Sequence, residues 1–482
     1  MRRAAGLAAG AFVLAACAVG PDYQRPALPV PETYRGEPAG VPPGPRSFGD
    51  LGWWEVFEDP ELQALIRQAS ERNYDLRVAV ARVLEARARL GIQRSFQFPE
   101  LNAGGQGGAV GVSREGVPPL GSSADRDGGI VSLGLDLRFE VDLWGRLRRA
   151  TESARAQLLA SEEARATVLT TVVTDMARAY FALRELDAEL EIARRTVVSR
   201  EASLKLARTR RAGGVASGVD VAQAEGLVES ARSTVADLEG RVEQQENLIN
   251  FLLGQGPGPV PRGLPLTRQT LVPTVPSGLP ATLLERRPDL RQSEQQLVAA
   301  NADIGAAKAL LFPQIVLTGS GGVQSSDLST LFSGPAGFWS LLGSLTQPIF
   351  NAGRLRENVR ATEARQQQAL VAYEQTVQQA FREVADALVG YRKAREVREQ
   401  QEALVRSSRD YARLALVRYR GGVTSYLEVL DADRQLFDAE LSLARVQRDE
   451  LVAVVGLYKA LGGGWQPQRV SERPREATSG RT

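Results

Sequence analysis

The 482-residue chain is predicted to be mostly α-helical, with two pairs of β-strands, and to contain two tandem copies of one unit. Three observations predict this fold class. Long stretches are dominated by Arg, Ala, Gln, Glu and Leu, the composition of long helices. One segment alternates apolar and polar side chains as a strand does. Short sequence landmarks also recur at a nearly constant offset, which indicates an internal duplication.

The duplication rests on matching segments in the two halves. Phe98-Pro99 matches Phe312-Pro313 at an offset of 214 residues, and Gly213-Gly214-Val215 matches Gly421-Gly422-Val423 at an offset of 208. A six-residue difference in one loop, 214 against 208, reconciles the two offsets. Each copy is therefore predicted to contain a helix, two strands, a long helix, a glycine tip and a shorter helix.

These landmarks divide the chain into segments. We predict a signal peptide at 1–17, a proline-rich tether or strap at 18–59, a first repeat at 60–253, a linker at 254–280, a second repeat at 281–461 and a C-terminal tail at 462–482. The strands are predicted at 98–112, 130–144, 313–325 and 338–350, and the tips at 212–218 and 421–425. A first helix should run from Pro60 to about Ser95, and a later one from Gly145 to Arg211 should span on the order of 100 Å.

The second strand carries the clearest local pattern. Its apolar residues alternate with polar or small ones, and they are Val131, Leu133, Leu135, Leu137, Phe139, Val141 and Leu143. Taken alone, this pattern favours a soluble sandwich over a membrane strand. Four strands per chain, however, would leave open edges, which a bilayer does not tolerate. A trimer with twelve strands and a ring of twelve helical rods removes the edges and favours the membrane interpretation.

Composition excludes several classes of function. The chain has no histidine and one cysteine, so the commonest general base and the usual metal-ligand clusters are missing. The glycine-rich stretches GGQGG and GSGG lack the Lys-Ser/Thr of a phosphate loop. A net charge of +2 gives no basic field for nucleic acid. The chain is therefore predicted not to be an enzyme, to hold no metal and no cofactor, and to bind no nucleic acid.

The single cysteine, Cys17, ends an apolar N-terminal run that follows Arg2 and Arg3. The preceding Leu-Ala-Ala resembles the bacterial lipoprotein signal, in which the cysteine becomes the first mature residue and carries the lipid. The alternative is an ordinary signal peptide with an incidental cysteine. By the same resemblance, Ala18 directly after the cysteine indicates the outer membrane. No later apolar run approaches the ~20 residues of a membrane helix.

The two glycine tips are predicted to be helix reversals. The adjacent glycines of each pair should supply the positive φ angles that end one helix, and Thr424 and Ser425 should cap the next. On that next helix, Glu428 and Asp431 share one stripe. In an isolated helix they would form a solvated face, with Asp431 paired to Arg434. In a threefold assembly they would form acidic rings able to bind cations and set a gate.

Several motifs together resemble the outer membrane factor family, the trimeric ducts of tripartite efflux systems, and especially its lipoprotein branch. They are the cysteine signal followed by VGPDYQRP, the tips RRAGGVASG and RYRGGVTS, and the segment YLEVLDADRQLFDAE. The resemblance covers the chain after the signal. It implies a twelve-stranded membrane β-barrel continued by a twelve-rod α-helical barrel with an equatorial domain. It also implies a homotrimer, a periplasmic adaptor (membrane fusion) protein, an inner-membrane RND-type pump and outer-membrane lipid as partners.

The resemblance also implies roles for single residues. Asp431 would form the periplasmic gate with Leu427 and Tyr419, with Glu428 at the upstream acidic position and Arg434 as a salt-bridge partner. The tip residues would contact the adaptor, and they are Gly213, Gly214, Val215, Gly421, Gly422 and Val423. The alternative is that these glycines only make turns. Some relatives carry an Arg latch after the glycine turn where this chain has Thr424, so the latch is not predicted here.

The leading hypothesis is a passive duct that exports small molecules across the outer membrane, lipid-anchored and extending into the periplasm. One alternative is an exit duct for secreted polypeptides. Another is a structural periplasmic coiled-coil lipoprotein without a pore, which would leave the alternating strands without a role.

Overall fold

A computed structural model describes residues 18–35, 47–111, 113, 127–269, 278 and 280–466. The predicted signal with Cys17, and the tail beyond 466, lie outside the described residues. The helices are α1 (Trp53–Val56), α2 (Pro60–Arg72), α3 (Tyr74–Ser95), α4 (Arg146–Ala212), α5 (Gly218–Leu252), α6 (Pro280–Arg286), α7 (Pro288–Ala309), α8 (Arg354–Arg420) and α9 (Tyr426–Ala460). The strands are β1 (Glu100–Gly111), β2 (Asp127–Val141), β3 (Gln314–Ser325) and β4 (Gly337–Thr346).

The order of elements confirms the tandem duplication. Helices α4 and α8 each have 67 residues, and α5 and α9 each have 35. Most predicted boundaries differ from the observed ones by one to four residues. Strand β2 begins three residues before the predicted 130. It ends three residues before the predicted 144, because Asp142 leaves the sheet to accept hydrogen bonds from the backbone N–H groups of Leu147 and Arg148 in α4.

The prediction of one continuous helix from Pro60 to Ser95 was wrong. Asn73 interrupts it by ending α2 and starting α3. Its side-chain oxygen accepts hydrogen bonds from the backbone N–H groups of Asp75 (2.9 Å) and Leu76 (3.2 Å), as an N-cap does. Its side-chain amide donates to the carbonyl of Leu252 at the end of α5. Asparagine competes with the helical backbone in this way because its side chain is short and polar.

The chain forms two compact units. The first comprises Met1–Ala27, Arg82–Glu162 and Gln292–Glu374, and it contains the sheet. The second comprises Leu28–Ala81, Glu163–Arg291 and Gln375–Thr482, and it contains both glycine tips. None of the helices in the described ranges combines the length and the apolar character needed to span a bilayer.

All four strands of the first unit form one antiparallel sheet in the order β1-β2-β3-β4. The register places the alternating residues of β2 beside apolar or small residues of the neighbouring strands. For example, Leu135 is aligned with Ala103 on β1 and Gly321 on β3, and Gly321 is aligned with Trp339 on β4. One face of the sheet is therefore mainly apolar across all four strands.

The described residues leave this apolar face uncovered. Trp339 is 83% exposed, Leu341 70% and Leu345 69%. Within the described residues, the outer edges of β1 and β4 also pair with no further strand. A soluble sandwich would bury such a face against a second layer. The exposed face and the open edges therefore argue against the soluble interpretation of the alternating strands.

The N-terminal segment lies against the helices of the first unit as a strap. Val19 donates its backbone N–H to the carbonyl of Trp144 at 3.0 Å, and Asp22 pairs with the largely buried Arg149 at 2.7 Å. Gly20 crosses α7 at Gly305, where a Cβ on Gly20 would lie 2.5 Å from the Gly305 Cα. Two glycines at the crossing thus let the strap and the helix approach closely.

The second unit has an aromatic core that includes part of the predicted tether. Phe48, Phe57, Tyr180, Phe181 and Tyr458 are almost completely buried. Residues 47–59, the last part of the predicted tether, therefore belong to this core. That segment forms a 3₁₀ turn at Phe48–Asp50 and helix α1. Phe48 in the turn and Phe57 directly after the helix place their rings in the core.

Asp59 ties this core to the linker. Its carboxylate accepts hydrogen bonds from the Tyr180 hydroxyl (2.8 Å), the Leu264 N–H (2.9 Å) and the Gln269 amide (2.7 Å), and it caps α2 through the Glu61 N–H. Burial alone would raise the pKa of Asp59, but these hydrogen bonds to the charged form outweigh it and lower the pKa.

Replacing Gly305 by leucine should release the strap. A Cβ at Gly305 would lie 2.8 Å from the Val19 carbonyl oxygen and 2.8 Å from the Arg149 Cγ, an overpacking that costs about 1–3 kcal/mol. Chymotrypsin should then cleave after Tyr23 faster than in the wild type. Gly91→Leu is the matched control, because no atom lies within 4 Å of a Cβ at Gly91. Equal cleavage rates in the two variants would contradict the docked strap.

Candidate functional site

Both glycine tips end their long helix with the same hydrogen bonds. In the second tip, Gly422 donates its N–H to the Tyr419 carbonyl (3.1 Å) and Val423 donates to the Arg418 carbonyl (3.1 Å). In the first tip, the equivalent bonds run from Gly214 to Arg211 and from Val215 to Arg210, both at 2.9 Å. This is a Schellman motif, which satisfies the last carbonyls of the helix.

Only the second glycine of each pair has a positive φ, 76° at Gly214 and 75° at Gly422. The prediction that both glycines supply positive φ angles was therefore wrong for Gly213 and Gly421. A Cβ at Gly421 would meet no atom closer than 3.5 Å, and one at Gly213 none closer than 3.6 Å. Neither backbone conformation nor space requires glycine at these two positions.

The two tips differ in how the next helix begins. In the first tip, Ser217 and Asp220 form a capping box, each side chain accepting from the other residue's backbone N–H. In the second tip, Ser425 makes no side-chain capping bond, so the predicted cap is absent there. The third helical residue, Glu428, instead accepts a hydrogen bond from the Thr424 hydroxyl.

Glu428 also forms an ion pair with Arg418 at 3.3 Å. Arg418 lies in the last turn of α8, so this pair connects the two helices of the second tip across the turn. This chain has no arginine directly after the glycines of the second tip. Thr424 and Arg418 instead hold the Glu428 carboxylate. The Glu428 side chain remains 29% exposed.

A small core joins the four helices near the tips. Its buried members are Ala207 on α4, Val221 and Ala224 on α5, Ala415 and Tyr419 on α8, and Tyr426, Val429 and Ala432 on α9. The Tyr419 and Tyr426 rings pack edge to face at 5.4 Å. Tyr419 is only 4% exposed, so within one chain its ring lies inside this core and not on the surface with Leu427. Burial raises the pKa of Tyr426 to about 12, with Asp433 and Tyr419 contributing.

Arg210 connects the first tip to the second. Its guanidinium donates to the Tyr419 carbonyl at 3.1 Å and to the Arg420 carbonyl at 3.5 Å. It also lies over the Tyr419 ring, with 4.6 Å between the guanidinium carbon and the ring centroid. A cation at the C-terminal end of α8 is favourable because the helix dipole is negative there. No pattern in the sequence predicted this contact, although Arg210 occupies the repeat position of Arg418.

Asp431 has different partners from those predicted. Its carboxylate accepts hydrogen bonds from Gln435 at 2.8 Å and from the Tyr411 hydroxyl at 3.4 Å. Among the described residues, no ion pair joins Asp431 to Arg434, so that prediction was wrong. Gln435 lies one turn along the same helix and Tyr411 lies on α8, and both donate to Oδ2 of the Asp431 carboxylate. Burial, followed by the charges of Asp431 and Glu428, raises the pKa of Tyr411.

The tips expose apolar side chains as well as glycine backbone. Val215 is 67% exposed and Val423 71%, and the equivalent positions Val219 and Leu427 are 63% and 59% exposed. All four glycines of the tips are also exposed. In the described ranges, no group of three or more Asp, Glu, Cys or His side chains is placed to hold a metal ion.

Comparison with known proteins decides the family. The sequence profile described as outer membrane efflux protein matches residues 65–255 and 279–463 of the chain. The chain belongs to the outer membrane efflux protein family. The two matched segments correspond to the two copies of the duplicated unit.

Individual members of the outer membrane efflux protein family resemble the chain along almost its whole length. The cation efflux system protein CusC of Escherichia coli is 37% identical over 95% of this chain and 97% of its own. The probable efflux pump outer membrane protein TtgC of Pseudomonas putida is 39% identical over 96% of each chain. The open-state outer membrane channel MtrE of Neisseria gonorrhoeae has a TM-score of 0.83 at 34% identity, covering 93% of this chain and 99% of its own.

In this member of the efflux protein family, Gly422→Ala should weaken the second tip while Gly421→Ala should not. An alanine at the positive φ of Gly422 costs about 1–2 kcal/mol. Local opening should then rise, and trypsin should cleave at Arg418 and Arg420 about tenfold faster. Gly421→Ala serves as the control and should be cleaved at the wild-type rate. Similar cleavage of both variants would contradict the assigned turn.

Proposed function

We propose that three copies of this outer-membrane efflux protein assemble into a duct that passes small molecules from the periplasm to the exterior. The sheet is the observation that carries the proposal. Among the residues that the structure describes, its apolar face is exposed and neither of its edges pairs with a further strand. Three such sheets placed edge to edge would give twelve strands in a closed β-barrel, with the apolar face toward lipid.

The helices support the same assembly. The duplication gives each chain two similar halves, so three chains would give a ring with pseudo-sixfold symmetry. In this proposal the long helices α4 and α8, each completed by shorter helices, form a twelve-rod α-helical barrel that continues the duct. An equatorial domain would surround it, containing the linker and the aromatic core around Asp59.

The proposed partners are a periplasmic adaptor protein and an inner-membrane RND-type pump. The pump would supply the energy, and the duct would be passive. Val215 and Val423 are exposed, and so are the glycines beside them. Each tip therefore offers the adaptor a small apolar surface. Relatives named for cation efflux and for an efflux pump favour small molecules over polypeptides as the transported class.

We place the gate of the duct at the start of α9. Glu428 and Asp431 lie on the same helix as the exposed Leu427, so threefold repetition would bring three copies of each carboxylate together. Tyr419 contributes from inside the chain, because its ring packs beneath the tip and supports the start of α9. Arg434 is exposed and remains in the proposed gate through its charge alone.

Lipid attachment at Cys17 completes the proposal. The strap that begins at Ala18 is held beside Trp144, directly before α4. A lipid on the preceding residue would therefore enter the outer membrane at a fixed place near the end of β2.

Removing the gate carboxylates should increase the current through the closed channel. In Glu428→Ala/Asp431→Ala, the ties to Arg418, Thr424, Tyr411 and Gln435 are lost, so the tips should separate more often. Single-channel recording in planar bilayers should show a larger and more frequent current than in the wild type. Asp438→Asn, which removes an exposed charge farther along α9, is the control. A double variant with no more current than the wild type would sink the gate assignment.

A further inference from the structure

Three ion pairs join the long helix of the first repeat to the last helix of the second repeat. Arg200 on α4 pairs with Asp433 on α9 at 2.8 Å. Glu189 pairs with Arg445 at 2.6 Å, and Glu185 pairs with Arg448 at 3.8 Å. The rungs are separated by about three helical turns and then one turn on both helices, so they follow one antiparallel line. We refer to these six residues as the α4–α9 ladder.

The α4 side of the ladder is buried. The exposed fraction of the side chain is 4% for Arg200, 0% for Glu189 and 5% for Glu185. Arg200 also donates to the Leu227 carbonyl and lies over the Phe437 ring at 5.0 Å. Glu189 accepts a hydrogen bond from Arg445 at 2.6 Å, whereas the Glu185–Arg448 pair at 3.8 Å is the longest of the three rungs.

Apolar packing lies between the rungs. The buried cluster there consists of Leu186 and Ala193 on α4, Leu238 on α5, and Phe437 and Leu441 on α9. Apolar burial is non-directional, so this cluster does not by itself specify which charged residues of the two helices face each other. The cluster contributes apolar contact between the helices. The ladder can determine which residues of α4 lie opposite which residues of α9.

A slip of one turn would disrupt the ladder in either direction. Sliding α9 four residues one way would keep only Arg445 opposite an acid, Glu185, and would leave Asp433 opposite Thr196. Sliding it the other way would keep only Arg448 opposite Glu189 and would place Asp433 opposite Leu204. Buried ion pairs often add little net stability, and setting register is their best-supported role.

The ladder is not a by-product of the duplication. Moving each residue to its repeat position, 208 residues away (213 to 421), gives no opposite-charge pair. Arg200 and Asp433 become Ser408 and Glu225, and Glu189 and Arg445 become Val397 and Asp237. The third rung becomes Lys393 and Gly240. The charge pattern is therefore specific to the contact between α4 and α9.

We propose that the α4–α9 ladder sets the register of α9 against α4 and thereby positions the start of α9, with Glu428 and Asp431, at the tip. Its residues are positioning residues that act through α9. The inference rests on the gate proposed above. Arg200–Asp433 is the rung nearest the tip, and Asp433 directly follows Ala432 of the tip core.

The test measures the distance between the tips separately from the current. Spin labels on cysteines at positions 215 and 423, both exposed, report the separation of the two tips in the purified full-length protein. Asp433→Asn and Glu189→Gln each remove one buried charge contact with little change of shape. Both variants should broaden the distance distribution and raise the closed-channel current several-fold. Glu191→Gln, an exposed glutamate on α4, is the matched control and should do neither.

A second pair of variants covers a failure of Glu189→Gln to fold. Arg445 is half exposed, so its replacement leaves the rest of the contact in place. Arg445→Gln should broaden the distribution, whereas Arg445→Lys, which keeps the positive charge, should restore a narrow one. A purely space-filling role for Arg445 would give the same distribution for both variants.

The outcomes separate the ladder from the gate. Distributions as narrow as the wild type in Asp433→Asn and Arg445→Gln would overturn the ladder, even if Glu428→Ala/Asp431→Ala raises the current. Broadened distributions without any rise in current would support the ladder and would count against the gate.

Discussion

The structure depends most on the backbone hydrogen bonding of a four-stranded sheet whose two edges pair with no further strand in the described ranges. Every interior strand pair is regular, from β1 to β4, yet the outer edges of β1 and β4 carry N–H and C=O groups without strand partners in the described chain. A lipid environment cannot satisfy such groups, because it offers no hydrogen bonds. The exposed apolar face adds a second demand, since side chains such as Trp339 need an apolar surrounding.

Repeating the same sheet in further copies of the chain meets both requirements. Further copies of the same sheet can satisfy the edges, and closure leaves the apolar face outward. The helices are duplicated together with the strands, because each repeat supplies two strands and the helices that continue from them. The tips are the far ends of these helices, so a change in how the helices pack changes the spacing of the tips.

The two tips share a backbone design and differ in side chains. Both use a Schellman turn, but the first closes on itself through the Ser217 and Asp220 capping box. In the second, Glu428 is drawn toward Thr424 and Arg418. The same backbone turn therefore carries different side-chain contacts in the two repeats. The first tip caps its own following helix, and Arg210 beside that tip also donates a hydrogen bond to the Tyr419 carbonyl of the second tip.

Local signals in the sequence predicted most of the fold. Proline, glycine and the alternation of β2 mark element ends, and the repeat offset locates the second copy. Asn73 was missed because a helical pattern continues across it, and only its side-chain hydrogen bonds show the break. In the site, spacing suggested Arg434 as the partner of Asp431, but spacing within one helix cannot detect Tyr411 on another. The contact between Arg210 and Tyr419 joins residues more than 200 positions apart, beyond any local pattern.

The mass of the native assembly in detergent tests the central claim most directly. Native mass spectrometry of the purified protein should give three times the mass of one mature chain, because three sheets are needed to close the open edges. A stable species with the mass of one or two chains, still able to conduct in planar bilayers, would contradict the account.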